Sequence, residues 1–368
     1  MKIVYLIEDF SVKGGAERVI SNKANYMSAC YGYDVTVVSI MADSRPQSYP
    51  LDSRVKLISL NVPFAVKDKG PAVKMLSRIN TLIKASARFN RLMNKIQPDI
   101  IFFTMSLGAL ILPLYTGKAR KIYESHLARR FTPYHQMFLP MELMADAVVC
   151  LTTGDAAEYR HAGRVKIIPN FINNPGHYVS DYGVRRAMAV GRLEYAKGFD
   201  ILIDCWKSIE KHYPEWSLDI FGEGSLHSQL QQQIDRLGLT GKITLRGKAD
   251  DIGKEYISHS LHVMPSRYEG LPMALIEAQA CGLPSVAFDF SYGARDVIND
   301  GVSGILVKQG DTEAFIRAVS RMMSSEKIRK DYGKAAKSVI LKFSREKIMR
   351  QWKSLLTSPP PYGNHDIF

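Results

Sequence analysis

The sequence predicts an α/β protein built from two doubly wound parallel-sheet domains. Strand-like apolar runs alternate with helical patterns in both halves of the chain, which is typical of parallel sheets covered on both faces. A loop-like stretch at 169–182, rich in Asn, Pro and Gly, interrupts the alternation. The chain has 368 residues, more than the ~250 to 300 at which one hydrophobic core stops growing. We therefore place the first domain at 1–170 and the second at 171–344.

The first half begins with an apolar run at 1–7 that is followed at once by Glu8 and Asp9, which indicates a strand rather than a signal peptide. The stretch 100–115 approaches the ~18 apolar residues of a membrane span. Polar residues, a glycine and a proline interrupt it, so we expect a buried strand followed by a short buried helix. The predicted strands of this half are 2–7, 34–40, 55–60, 99–103, 121–124, 147–151 and 165–168.

The second half repeats the alternation and closes with helices. Its predicted strands are 187–190, 217–221, 243–246, 262–265, 285–288 and 305–307. Helical patterns follow at 311–341 and at 345–356, the latter capped by Ser344. The tail 357–368 contains three prolines and is not expected in a core.

Charge and cysteine content favour a cytoplasmic protein with an anionic partner. The four cysteines lie dozens of residues apart, which predicts reduced thiols rather than a metal or disulfide framework. The net charge is +13, and residues 1–170 carry 23 Lys and Arg against 13 Asp and Glu, a net of +10. Much of this charge lies at 67–95, an amphipathic basic helix. Such a helix suits an anionic membrane surface or an anionic ligand; a solvated helix face packed on its own domain is the alternative.

The segment 267–277, RYEGLPMALIE, follows a predicted strand and opens a predicted helix. A helix that starts at Leu271 or Pro272 leaves backbone amides free in its first turn, where the helix dipole favours a phosphate. Glu269 precedes the helix, near any group attached to that phosphate. Glu277 lies about 7 Å further along the axis, where it can accept hydrogen bonds from a ribose diol. We predict a nucleotide site here; a solvated helix and its flank are the alternative.

The segment 190–198, VGRLEYAKG, places two cations in one loop at the carboxyl end of a predicted strand. Arg192 offers a planar fork and Lys197 a mobile point charge to phosphate oxygens. Together they can neutralise a leaving diphosphate in place of a metal. Ordinary surface cations are the alternative.

Two weaker motifs lie in the first half. Gly14 and Gly15 separate the first strand from the first helix, and paired glycines permit close approach of an anion to a helix start. His126 follows the strand 121–124, which places it at the rim of the same cleft; a structural histidine is the alternative. The chain lacks a GxGxxG fingerprint and a DxD pair, which disfavours an NAD enzyme and a metal-dependent nucleotide-sugar site.

Together with GARD at 293–296, these motifs resemble glycosyltransferase family 4 from Lys2 to about Leu356. The specific part of the resemblance is the pair Glu269 and Glu277, separated by seven residues within the segment RYEGLPMALIE. The resemblance implies the GT-B fold, in which two Rossmann-like domains face a central cleft and a C-terminal helix, here 345–356, packs back on the first domain. It also implies an enzyme that retains the anomeric configuration and needs neither a metal nor another cofactor.

The resemblance assigns roles in the second half. Arg192 and Lys197 would bind the donor diphosphate, and Glu277 the ribose hydroxyls. Glu269 would contact the donor sugar. Backbone amides would contact it as well, in the segment formed by Gly270, Leu271, Pro272 and Met273.

In the first half, Gly15 would approach the phosphates or the acceptor, and His126 would hydrogen-bond the transferred sugar near the reacting carbon. Asp296 stands where the commonest family pattern has a glutamate. The segment SYGARD at 291–296 looks more like the corresponding segment of members that extend lipid-linked oligosaccharides or polysaccharide repeat units with UDP-sugars. A lipid diphosphate acceptor is anionic and membrane-bound, which agrees with a basic first domain.

The prediction is therefore a transferase that moves a hexose or N-acetylhexosamine from a nucleotide sugar, UDP-linked, to a glycan or lipid-linked acceptor at the cytoplasmic face of a membrane. No nucleic acid partner is expected. A nucleotide-sugar epimerase with a similar two-domain fold is the alternative enzyme. A non-enzymatic nucleic-acid or membrane binder would account for the charge but not for the placement of Arg192, Lys197, Glu269 and Glu277.

Overall fold

The structure is a computed structural model that describes residues 1–41, 47–63, 71–172 and 180–359, without the side chains of 71, 72 and 74. The chain forms two compact units. The first comprises the described residues of Met1–Leu151, Asp155–Ile168 and Met349–Phe368, and the second those of Thr152–Gly154 and Pro169–Ile348. The helix predicted at 345–356 is thus divided, and its larger part belongs to the first unit.

The first unit is an α/β structure around a parallel sheet. Its strands are β1 (Lys2–Ile7), β2 (Asp34–Met41), β3 (Lys56–Val62), β4 (Ile100–Thr104), β5 (Arg120–Glu124), β6 (Ala147–Cys150) and β7 (Val165–Ile167). Its helices are α1 (Gly15–Tyr31), α2 (Pro71–Ile96), α3 (Met105–Ile111), α4 (Leu139–Met144), α5 (Thr153–Ala156, shared with the second unit) and most of α13 (Arg345–Thr357). Within the described residues the seven strands pair in the order β3-β2-β1-β4-β5-β6-β7.

The second unit repeats this plan. Its strands are β8 (Arg186–Val190), β9 (Ser217–Phe221), β10 (Ile243–Gly247), β11 (Leu261–Met264), β12 (Ser285–Asp289) and β13 (Gly304–Lys308). Its helices are α6 (Phe199–Glu210), α7 (His227–Arg236), α8 (Ile252–Ile257), α9 (Met273–Ala280), α10 (Ala294–Val297), α11 (Thr312–Met323) and α12 (Glu326–Val339). In the described part of the chain the six strands pair in the order β10-β9-β8-β11-β12-β13.

Both sheets are parallel, and their central strands are buried. All residues of β4 and β11 are buried, as expected when helices cover both faces of a sheet. The predicted α/β class with two Rossmann-like units is therefore confirmed. Every predicted strand forms, with ends within two residues of the predicted ones.

Three helical predictions need correction or completion. The pattern predicted at 311–341 forms two helices, α11 and α12, because Ser325 caps α12 by accepting the amide of Ile328 at 3.3 Å. The last helix ends at Thr357, one residue beyond its predicted end. The basic helix predicted at 67–95 is described from Pro71 to Ile96, so Lys67 and Lys69 lie outside the described residues.

The buried strand and short helix expected in the apolar stretch are confirmed. The apolar stretch 100–115 forms β4, α3 and a 3₁₀ turn at Leu112–Leu114. In the part of the chain that the structure describes, no helix combines the length and the hydropathy that a membrane crossing requires. All four cysteines are free; Cys30 is exposed and the other three are buried.

Candidate functional site

The loops that follow β8 and β11 carry the nucleotide-binding residues predicted for the second unit. These two strands are neighbours, and the chain connections run away from them in opposite directions. Such a reversal opens a crevice at the carboxyl ends of the two strands, where α/β sheets bind ligands. The segments 191–198 and 265–272 therefore meet at the same edge of the sheet.

Lys197 and Glu269 form an ion pair that joins the two loops. Nζ of Lys197 lies 2.6 Å from Oε1 of Glu269, and the two side chains are 18% and 12% exposed. The same carboxylate oxygen accepts a hydrogen bond from Oγ of Ser266 at 2.7 Å. Lys197 can therefore contact an anionic ligand only by sharing its ammonium with Glu269 or by leaving it.

Arg267 and Asp200 fix the turn that carries Lys197. Nη1 and Nη2 of Arg267 donate to the two carboxylate oxygens of Asp200 at 2.8 and 2.6 Å. The guanidinium also covers the ring of Tyr195, whose centroid lies 4.0 Å from Cζ. Gly198, with a φ of +67°, lets the turn approach β11, because a Cβ there would lie 2.2 Å from the carbonyl oxygen of Pro265. A bidentate guanidinium fixes direction as well as distance, so it holds the two loops in register.

The start of α9 provides backbone donors beside this ion pair. The helix begins at Met273, with Pro272 in the capping position, so the start predicted at Leu271 or Pro272 is wrong by one or two residues. The reason is that Pro272 has a ψ of 83°, outside the helical range. The first bond of the helix joins the amide of Leu275 to the carbonyl of Pro272 at 3.0 Å. Pro272 has no amide hydrogen, so the amides of Met273 and Ala274 are the helix donors that can face an anion.

Gly293 packs against the turn that precedes α9. Its φ is +92°, and a Cβ there would lie 2.6 Å from Cδ of Pro272 and 2.7 Å from the carbonyl oxygen of Gly270. Leu271 is 7% exposed and anchors the turn in the core. Gly293, in the segment 293–296, therefore packs directly against Gly270 and Pro272 and limits the positions open to that turn. Asp296, the departure from the family pattern, accepts a hydrogen bond from Oγ1 of Thr153 at 3.0 Å.

Glu277 lies on α9 beside a buried tyrosine of α8. Oη of Tyr256 lies 3.4 Å from Oε2 of Glu277 and 3.2 Å from the carbonyl oxygen of Ala274. Tyr256 is 1% exposed, so the surrounding core holds its hydroxyl in place beside Glu277. Because a carboxylate accepts several hydrogen bonds, Glu277 can bind a diol while it keeps this contact.

Arg192 differs from Lys197 in its surroundings. The residue is exposed, and its charge acts on the nearby Glu194. Glu194 accepts hydrogen bonds from the amide and the hydroxyl of Ser225 at 3.1 and 2.9 Å. The loop after β8 therefore offers one mostly buried, paired cation and one cation at the surface.

In the first unit, Gly14 occupies the capping position of α1 and Gly15 is its first residue. A Cβ on Gly15 would meet no atom within 4 Å, so packing does not require glycine at this position. Acidic residues lie close by. Burial raises the pKa of Glu17, and the charges of Asp9 and Glu8 raise it further. Negative charges of this kind repel a phosphate more strongly than a neutral hydroxyl.

His126 follows β5, as the sequence predicted, and its side chain is buried. It is 4% exposed, and its Nε2 lies 3.5 Å from Oε1 of Glu124. Among the described residues Nε2 has no hydrogen-bond partner. Burial lowers the pKa of His126 to about 4; the charge of Glu124 works against this lowering and that of Lys23 adds to it. The imidazole is therefore neutral at pH 7.

The first half of α2 presents apolar as well as basic side chains. Leu76, Ile79 and Ile83 are 63%, 47% and 60% exposed. Phe89, in the second half of the helix, is fully buried and packs in the core of the first unit. The helix thus combines an anchored end with an end that presents apolar side chains to solvent.

The sequence missed several residues that shape these sites. Arg267 lies inside the strongest motif, but its partner Asp200 is 67 positions away. Tyr256 and Ser266 carry no recognisable signal beyond their positions near predicted strands. The described residues include no cluster of three or more His, Cys, Asp or Glu suited to a metal ion.

Two family models cover most of the chain. The model described as Glycosyltransferase Family 4 matches residues 13–174, and the model described as Glycosyl transferases group 1 matches residues 178–339. The chain is similar to the amylovoran biosynthesis glycosyltransferase AmsD of Erwinia amylovora, with 30% identity over 96% of this chain and 99% of the relative.

Other relatives share the same extent. An alpha-1,4-N-acetyl-D-galactosaminyltransferase of Campylobacter jejuni, whose name includes a PP-undecaprenol-linked glycan, is 24% identical over 97% of this chain and 98% of its own. The structure of a point mutant of S. aureus TarM in complex with Fondaparinux, alpha-GlcNAc-glycerol and UDP aligns with a TM-score of 0.77 and 16% identity, covering 97% of this chain and 100% of that one. The chain therefore belongs to glycosyltransferase family 4 and is a glycosyltransferase with the GT-B fold.

Proposed function

We propose that this enzyme transfers a hexose or an N-acetylhexosamine from a UDP-sugar to a hydroxyl of a glycan or lipid-linked oligosaccharide, with retention of anomeric configuration and without a metal. The observation that carries the proposal is the Lys197–Glu269 ion pair beside the start of α9. The pair places a cation for a diphosphate next to a carboxylate for the attached sugar.

Residues of the second unit hold the diphosphate and the ribose of the donor. Lys197, Arg192 and the amides of Met273 and Ala274 bind the diphosphate, because cations and a helix start both favour negative charge. Glu277 binds the ribose hydroxyls. The solved S. aureus TarM structure contains UDP, which supports uracil as the base of the donor.

The transfer step needs no added reactant. The bond between the anomeric carbon and the diphosphate oxygen breaks, and the acceptor oxygen forms a bond to that carbon on the same face. The acceptor proton passes to the departing phosphate oxygen. Lys197 and Arg192 stabilise the charge that develops on the diphosphate, which is the role a divalent metal plays in other transferases.

The acceptor binds the first unit in this proposal. We assign the open space at Gly15 to an acceptor hydroxyl rather than to the donor phosphates, because Glu17, two residues further along α1, feels the negative charges of Asp9 and Glu8. A lipid-linked acceptor is supported by the PP-undecaprenol-linked glycan in the name of the Campylobacter jejuni relative.

Incubation with UDP-, GDP- and ADP-sugars and a lipid-diphosphate oligosaccharide tests the activity. We expect transfer from a UDP-sugar, undiminished by EDTA, and a product whose anomeric proton coupling matches that of the donor. An inverted product would refute retention, and loss of activity in EDTA that Mg²⁺ restores would refute metal independence. Interconversion of the UDP-sugar without acceptor would support the epimerase instead.

The enzyme also binds the cytoplasmic face of an anionic membrane in this proposal. The exposed Leu76, Ile79 and Ile83 can enter the headgroup boundary while Arg78 and Lys84 contact anionic lipids. Vesicles with anionic lipid should sediment the protein, and neutral vesicles should sediment much less. The pair Leu76→Glu and Ile83→Glu should abolish sedimentation without loss of UDP binding, and unchanged sedimentation would refute this surface.

A further inference from the structure

Tyr256 of α8 carries a hydroxyl into a buried apolar cluster of the second unit. The other buried members of this cluster are Met188, Phe221, Ala278, Cys281 and Leu283. The tyrosine ring also meets the ring of His262 edge to face, with centroids 6.4 Å apart and planes at 76°. Phenylalanine would fill the same space, and a buried hydroxyl lowers stability unless it has a hydrogen-bond partner. The hydroxyl therefore needs a reason beyond packing.

This hydroxyl reaches two acceptors on α9. Oη of Tyr256 lies 3.2 Å from the carbonyl oxygen of Ala274 and 3.4 Å from Oε2 of Glu277. The carbonyl of Ala274 lies inside α9, where the helical pattern already supplies it with the amide four residues further on. The carboxylate of Glu277 is charged, which makes it the stronger acceptor of the two. The position of the hydroxyl thus matters most for Glu277.

Glu277 gains a fixed direction from this contact. The residue is half-buried on α9. A glutamate side chain has three rotatable bonds, and ordering them when a ligand binds lowers the affinity. A ribose presents two neighbouring hydroxyl donors, and a carboxylate accepts from both only when it faces them. A tyrosine that the core holds in place can order the carboxylate before the nucleotide arrives.

We propose that Tyr256 is a positioning residue that orients Glu277 toward a ribose diol and thereby restricts the donor to ribonucleoside diphosphate sugars, against their 2′-deoxy counterparts. The inference rests on the proposed function, in which Glu277 binds the ribose hydroxyls. A 2′-deoxy nucleotide leaves the oriented carboxylate without one of its donors, and a site built to bind a hydroxyl rejects the analogue that lacks it. Tyr256, Ala274 and Glu277 all belong to the second unit.

Calorimetric titration of the full-length protein with UDP and with 2′-deoxy-UDP tests the selectivity. In the wild type we expect UDP to bind at least about tenfold more tightly, the ratio typical of a hydrogen bond to a charged group. Tyr256→Phe keeps the ring and its packing and removes the hydroxyl. The variant should weaken UDP binding more than 2′-deoxy-UDP binding, so the ratio of the two affinities should fall at least about threefold.

Tyr182→Phe is the matched control. Oη of Tyr182 donates to the carbonyl oxygen of Gly282 at 3.0 Å, just after α9, so this variant also loses one buried tyrosine hydrogen bond. It should lose stability in urea unfolding as Tyr256→Phe does, and it should keep the wild-type affinity ratio. In a Glu277→Gln background, Tyr256→Phe should change the ratio by less than about twofold, because the carboxylate that it orients is gone.

A Tyr256→Phe protein with the wild-type affinity ratio would overturn the inference. If both affinities fell together, the hydroxyl would support the helix start at Ala274 rather than the ribose. A wild type that binds the two nucleotides equally would refute the ribose role of Glu277 and the inference with it. The titrations do not depend on transfer, so a protein that shows the selectivity but transfers no sugar from UDP-sugars would refute the proposed function alone.

Discussion

Replacing Glu269 by Gln should separate UDP binding from sugar transfer. In the free enzyme, Glu269 competes with any anionic ligand for the ammonium of Lys197, 2.6 Å away. At an effective dielectric constant of 20, that pair interacts by about 6 kcal/mol before desolvation, of which about 1 to 2 kcal/mol survives as net coupling in a partly buried pair. Removing the negative charge should therefore tighten UDP binding by about tenfold.

Transfer should respond in the opposite direction. Gln keeps an acceptor oxygen for Ser266 but loses the carboxylate that contacts the donor sugar, so kcat should fall by about 100-fold or more. Lys197→Met, by contrast, should weaken UDP binding by about 10- to 150-fold, because a charge-assisted hydrogen bond contributes about 1.5 to 3 kcal/mol.

Isothermal titration calorimetry with UDP measures these affinities, and Lys330→Met, at an exposed position of α12, is the matched control. The control should bind UDP as the wild type does. If Glu269→Gln weakened UDP binding as much as Lys197→Met, Glu269 would orient the lysine rather than compete for it, and our reasoning about the pair would be refuted.

Three further predictions concern other parts of the molecule. Gly15→Ala should leave the melting temperature unchanged or slightly raised and reduce transfer at least about tenfold, because its Cβ fills open space at a helix start. Gly163→Ala, whose Cβ also enters open space, is the control and should change neither the melting temperature nor transfer. Equal activity of the two variants would exclude Gly15 from the acceptor site. Arg267→Lys should lower stability by about 1 to 2 kcal/mol in urea unfolding and weaken UDP binding, since an ammonium cannot bridge both oxygens of its acidic partner; an unaltered UDP affinity would show that the turn holds without the fork. Burial lowers the pKa values of His126 and His262 to about 4 and about 3, so the unfolded chain binds protons before the folded protein does as the pH falls below 6.5. Each histidine should therefore lower the free energy of unfolding by about 2 kcal/mol between pH 6.5 and 5. His126→Gln should remove the part of that decrease that His126 causes.

The strands could be predicted from the sequence because parallel sheets buried on both faces leave long apolar runs such as 2–7 and 100–104. Helix boundaries were harder. The break between α11 and α12 depends on the cap formed by Ser325, and the start of α9 depends on the backbone angles of Pro272. Both are local features that hydrophobic periodicity does not encode.

The candidate site was predictable where its residues are close in sequence to a strand end. Lys197 and Glu269 each follow a strand, and the order of the strands brings the two loops together. The side-chain partners were not predictable, because they join distant positions: Lys23 and Glu124 lie 101 residues apart. The burial of His126 was also missed, since a position after a strand says nothing about which way the ring turns.

The most direct test of the account is a crystal structure of the enzyme with a non-hydrolysable UDP-sugar. We predict that the diphosphate lies within hydrogen-bond distance of Nζ of Lys197 and of the amides of Met273 and Ala274, with the ribose hydroxyls on Glu277. A diphosphate bound away from the loops that follow β8 and β11 would contradict the account.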